Sequence, residues 1–138
     1  MIGLFLVTHG EIGKSLVDSA TQILGAAPQQ VATLSVWRQD DPDDLALRAR
    51  EMLEGIDAGD GVLVLTDIFG ATPGNVVSRL LQDGRVEGVS GVSLPMLLRV
   101  LAARSNGSPL SLAAAVQRAL SGGAEGVVHM NTDRCCDA

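Results

Sequence analysis

The feature that most constrains this chain is its opening, where the apolar residues Ile2, Leu4, Phe5, Leu6 and Val7 run directly into Thr8-His9-Gly10. An apolar run of this length without polar alternation reads as a strand covered on both faces, the pattern of a parallel sheet flanked by helices. In such sheets, ligands and chemistry gather at the carboxyl ends of the strands. The strand therefore delivers His9 to that edge. An imidazole, whose ordinary pKa is about 6.5, can serve there as base or nucleophile near neutral pH.

The remaining sequence alternates helical and strand patterns. Leu16, Val17, Ala20, Ile23 and Leu24 fall at helical spacing, and Gly25 supplies a stop. Val31 to Trp37 alternates polar and apolar residues, which suggests a second strand near an edge of the sheet. Asp41-Pro42 marks a helix start, with Leu45, Ala49, Met52, Leu53 and Ile56 as its inner stripe. Val62-Leu63-Val64-Leu65 reads as a central strand that ends in Thr66-Asp67. Thr72-Pro73 resembles an N-cap followed by proline, and Val76, Val77, Leu80 and Leu81 carry the expected helix to Gly84.

Val86 to Val92 forms a shorter, glycine-interrupted strand, and Ser93 and Pro95 open a helix from Met96 to Arg104. A last helix, Ser111 to Leu120, is expected to stop at Ser121-Gly122-Gly123, and Val127 and Val128 suggest a short fifth strand. The expectation is an α/β fold: a right-handed, doubly wound, mostly parallel sheet of four strands plus the C-terminal fifth.

Length and charge narrow the function classes. A chain of 138 residues fits one domain that folds without metal or disulfide. Sixteen acidic residues against ten basic ones give a net charge of -6, with no cluster of Lys or Arg, so nucleic acid and anionic membranes are poor partners. Apolar residues make up 46%, an excess that a buried subunit contact would absorb.

The opening run is too short for a membrane span and lacks the basic flank of a signal peptide, so a cytoplasmic setting is expected. Cys135 and Cys136 are adjacent, match no zinc or haem spacing, and receive no role. No G-x-x-x-x-G-K-[ST] loop is present, and no G-x-G-x-x-G opens the first helix, so ATP and dinucleotide binding lose their main support. His129 has no ligating neighbour in sequence and reads as structural.

A chemical constellation depends on strand order. If strands one and three are parallel neighbours, His9 and Asp67 leave the sheet at the same edge. A carboxylate on one ring nitrogen fixes the tautomer, exposes the other nitrogen as nucleophile and stabilises developing imidazolium charge. A strand-end aspartate can also simply cap local backbone N–H groups. Thr72 offers a hydroxyl at a helix start, where unpaired N–H groups favour anions. Phe69 lies between Asp67 and Thr72 and could wall the pocket, whereas Trp37 is assigned to packing. Together these groups describe a site for accepting a phosphoryl group.

Three segments carry a resemblance: Leu6-Val7-Thr8-His9-Gly10, then Leu65-Thr66-Asp67-Ile68-Phe69-Gly70-Ala71-Thr72-Pro73-Gly74-Asn75, then Gly91-Val92-Ser93-Leu94-Pro95-Met96-Leu97. In order and spacing they resemble the IIA component of the mannose family of the bacterial phosphoenolpyruvate-dependent sugar phosphotransferase system. The likeness covers residues 1–130 as a single phosphocarrier domain, with 131–138 as a tail. It implies that His9 is phosphorylated, that Asp67 orients it, that Thr72 and Gly10 lie at the phosphate, and that Phe69 and Gly70 wall the pocket. It implies no metal and no cofactor.

As partners the resemblance implies the phosphocarrier HPr as donor and a IIB component on a separate chain as acceptor, with the membrane reached only through IIC and IID components. It also implies a homodimer whose last strand, here Val127 to Met130, crosses to the partner. The sequence departs from the family at Phe69, commonly tryptophan, at Gly74, commonly bulkier, and at Ser93, commonly asparagine. A second reading keeps the phosphohistidine but makes the output regulatory, without sugar transport. A histidine phosphatase would need an arginine where Thr8 stands, and the phosphocarrier subunit of dihydroxyacetone kinase fits the Thr72-Pro73 and Pro95-Met96-Leu97 segments less well.

Overall fold

The computed structural model describes residues 1–105 and 109–132. Alternation within the inner strands divides the core between the two faces of the sheet. Strands β1 (Gly3–His9), β2 (Val31–Val36), β3 (Val62–Thr66) and β4 (Val86–Ser90) are all parallel and lie in the order β2-β1-β3-β4. Leu4, Leu6, Leu63 and Leu65 face helices α1 (Ile12–Leu24), α4 (Leu94–Arg104) and α5 (Leu112–Glu125). Phe5, Val7, Val62 and Val64 face α2 (Pro42–Ile56) and α3 (Thr72–Ser78). All eight of these strand side chains are fully buried, each contributing on the order of 2 kcal/mol of transfer free energy. The uninterrupted apolar runs of β1 and β3 thus reflect helices on both sides.

The structure corrects three expectations about the helices. Helix α3 stops at Ser78 instead of continuing to Gly84, because the next N–H groups tighten into shorter turns, Arg79 to Val76 O and Leu80 to Val77 O. Ala71 is its N-cap, so Thr72 is the first helical residue and its side chain makes no cap bond. Helix α5 runs through Gly122 and Gly123 to Glu125. Those glycines permit close packing: a Cβ on Gly122 would stand 2.8 Å from Arg99 Cβ on α4, and Arg99 itself holds Glu125 at 2.8 Å.

The expected fifth strand does not join the sheet. Among the described residues, Val127–Met130 pairs with no strand, and its backbone bonds stay local, with Thr132 N–H donating to His129 O at 3.0 Å. Two adjacent valines are too short a signal to specify pairing once a helix ends beside them. Cys135 and Cys136 lie outside the described residues.

Candidate functional site

The chain passes from β1 to β2 on one side and returns to β3 on the other, which opens a crevice at the carboxyl ends of β1 and β3. This switch in strand order is where open α/β sheets bind ligands. His9 is the last residue of β1, and Asp67 directly follows β3. One carboxylate oxygen, Asp67 Oδ2, lies 2.8 Å from His9 Nδ1 and also accepts the His9 backbone N–H at 3.2 Å. A single side chain thereby holds both the ring and the backbone of the histidine.

Asp67 is the more enclosed partner, with its side chain 13% exposed against 48% for His9. Desolvation alone would raise the Asp67 pKa. Hydrogen bonds from the His9 ring, the His9 backbone and Asp67's own backbone, with attraction to His9, outweigh it and hold the carboxyl below its ordinary 3.8. An ionised Asp67 accepts but cannot donate, so the proton between the two groups is assigned to Nδ1. Nε2 then carries the lone pair and is the nitrogen left to react.

Thr8 fixes the loop from beneath. Its side chain is buried, and Oγ1 accepts the Gly13 N–H at 2.8 Å, supplying a first-turn partner for α1 that the N-cap Glu11 does not. Gly10, expected to lie at the phosphate, directly follows His9 at the end of β1. Its N–H is bonded to Val36 O at 2.9 Å, and its φ of +48° suits glycine. A Cβ there would lie 3.3 Å from Trp37 Cζ3, so Gly10 makes room for the indole.

A cavity of about 550 Å³ opens beside the pair, lined by His9, Val36, Trp37, Arg38, Asp40, Pro42 and Thr72. Thr72 therefore shares the histidine's cavity. Phe69, 82% exposed, and Gly70 are not part of this wall and instead form the loop in front of α3. Trp37, Arg38 and Asp40 were missed as site residues. Their signal was positional, since β2 pairs with β1 as far as His9 and Val36, so the residues after β2 flank the histidine. Another cavity, of about 510 Å³, sits at the opposite edge around Met1, Asp60 and Glu87 and shares no residue with the crevice. Among the described residues, no group of three or more His, Cys, Asp or Glu side chains is arranged to hold a metal ion. Among the described residues, no helix is long and apolar enough to cross a membrane.

Comparison with known proteins agrees with this geometry. A family model described as PTS system fructose IIA component matches residues 3–118. The PTS system fructose-specific EIIA component of Bacillus subtilis is 31% identical over 107 residues, covering 77% of this chain and 73% of that protein. The mannose-specific EIIAB component of Escherichia coli K12 is 31% identical over 106 residues, 76% of this chain, which spans 32% of that longer protein. The crystal structure of the phosphotransferase system component EIIA from Streptococcus agalactiae superposes with a TM-score of 0.83 at 25% identity, covering 96% of this chain and all of that one. With a parallel four-stranded sheet that brings His9 and Asp67 together, and a match running from the first strand into the last helix, the chain belongs to the mannose/fructose IIA family of the sugar phosphotransferase system.

Proposed function

We propose that this protein is a histidine phosphocarrier that accepts a phosphoryl group from phospho-HPr on Nε2 of His9 and passes it to a IIB component on another chain. The observation that supports this most is the 2.8 Å contact between His9 Nδ1 and Asp67 Oδ2 at the strand-order switch. In the forward step the Nε2 lone pair forms a bond to phosphorus. The bond from phosphorus to the donor's imidazole breaks, and its electron pair returns to that ring. Nδ1 keeps its proton throughout, hydrogen-bonded to Asp67, whose negative charge stabilises the positive character gained by the ring.

Transfer between two imidazoles is nearly balanced in energy, so positioning accounts for most of the rate. Thr72 shares the cavity and supplies a hydroxyl toward the phosphoryl oxygens. In this reading the protein works in the cytoplasm, reaches the membrane only through transport partners, and pairs with a second copy. Phe69, far more exposed than a core aromatic, lies in the loop between β3 and α3 and is open to a partner protein.

The test is to supply phosphoenolpyruvate, enzyme I and HPr to the wild type and to His9→Ala. The wild type is expected to take one acid-labile phosphoryl group and the variant none. Labelling that persists in His9→Ala contradicts the assignment.

A further inference from the structure

We propose that Arg38 grips the phosphoryl group held on His9, its guanidinium donating to phosphoryl oxygens both during transfer and in the phosphorylated protein. This rests on the carrier reading above. A phosphoryl group brings close to two negative charges at neutral pH. The cavity that must receive it already contains Asp40, and Asp67 lies against the His9 ring. Arg38 is the one basic residue in the lining.

The chain presents this side chain on a fixed backbone. Trp37 N–H donates to Asp40 Oδ2 at 2.9 Å, and Asp40 N–H donates back to Trp37 O at 3.0 Å, closing a turn that carries Arg38 at its second position. Asp40 is thereby directed at its own turn. Arg79, Arg85 and Arg99 each hold a carboxylate, and Arg104 holds backbone carbonyls. Among the described residues, Arg38 is exposed and no hydrogen bond or ion pair engages its guanidinium. It stands two residues past Val36, the partner of His9 across the strands. That is at most about 7 Å of chain, a span an arginine side chain can bridge.

A guanidinium stays charged at any working pH and offers two parallel N–H groups that match a phosphoryl edge. Arg38 forms no covalent bond and loses no proton. Nε2 still gains the phosphorus, the donor's ring still keeps the departing electron pair, and Nδ1 still holds its proton against Asp67.

The experiment compares the full-length wild type with Arg38→Ala and Arg38→Lys, using phospho-HPr as donor. Two readouts are taken: the rate of transfer to His9, and the phosphorus NMR titration of the phosphorylated protein after HPr has been removed. Arg38→Ala is expected to slow transfer by about tenfold, a modest factor because the site is open to solvent. Its phosphoryl group is expected to pass from dianion to monoanion, by taking up one proton, at higher pH than in the wild type. Arg38→Lys is expected to recover part of both effects, keeping the charge but losing the fork.

A transfer rate for Arg38→Ala within twofold of wild type overturns the role. A slower rate with an unchanged titration of the isolated phosphoprotein also overturns it, because that pattern belongs to a contact with the donor protein. Absence of phosphate on His9 in the wild type would bring down the carrier reading itself, and the Arg38 role with it.

Discussion

At the scale of single residues, the site depends on Asp67 being both charged and enclosed. Its carboxyl titrates below the ordinary 3.8 because its bonds to His9 and to its own backbone outweigh the cost of burial. The sign follows directly. A carboxyl with a depressed folded-state pKa adds stability above the unfolded value of about 3.9, and that stability is lost as pH falls through the folded value. The Asp67 side of the Asp67–His9 contact is therefore expected to keep its charge to lower pH than a free aspartate does. Carbon NMR of the Asp67 carboxyl should show a midpoint below 3.8 that rises in His9→Ala. In the same series, Asp67→Asn should slow phosphoryl transfer on the order of 10²-fold, since an amide can contact Nδ1 without supplying charge. A midpoint above the ordinary value would mean that desolvation dominates, and Nδ1 would then lack a fixed partner.

At the scale of elements, the close approach of α4 and α5 explains why glycine appears inside a helix. Alanine is the better helix former than glycine by about 1 kcal/mol. Yet a Cβ on Gly122 would meet Arg99 Cβ at 2.8 Å and Met96 Cα at 3.3 Å. Gly122→Ala is accordingly expected to lower stability by roughly 1–3 kcal/mol in urea unfolding, the cost of overpacking. A stabilised variant would show that the helices separate freely. The same contact marks where sequence reading stopped short, because the Gly122-Gly123 pair reads as a terminator until a partner helix is known. By contrast, β1, β3 and the start of α2 at Pro42 were legible, since long apolar runs and an Asp-Pro pair are local signals. His9 and Asp67 were legible as candidates, and strand order turned them into a pair. The Trp37 to Asp40 wall was not, because its place beside His9 comes from β2 pairing with β1 and not from any local motif. Helix α3 was overextended because Leu80 keeps helical spacing after the helix has ended; it is buried from a turn.

At the scale of the whole molecule, the two ends of the sheet have different tasks. The carboxyl edge carries the His9–Asp67 pair in an open crevice, and the amino edge is tied down by Arg104. That side chain is buried, with Nη1 donating to Ile2 O at 2.9 Å and Nη2 to Gln29 O, so the end of α4 is joined to the starts of β1 and β2. Burial pushes its pKa down from the usual arginine range. Removing it takes a donor from the buried Ile2 carbonyl and from the Gln29 carbonyl, and Arg104→Ala is expected to cost roughly 2–4 kcal/mol of stability. Phosphoryl transfer by the fraction that remains folded should be close to wild type, a separation that unfolding curves and transfer rates measured on the same sample would check. The central claim concerns which atom of which residue reacts. Asp67 on Nδ1 leaves Nε2 as the nucleophile, so the decisive measurement is nitrogen–phosphorus NMR on nitrogen-15-labelled protein after phosphorylation by the HPr relay. Phosphorus coupled to Nε2 of His9 is the result this account requires. Phosphorus on Nδ1 of His9, or on any other residue, would contradict it.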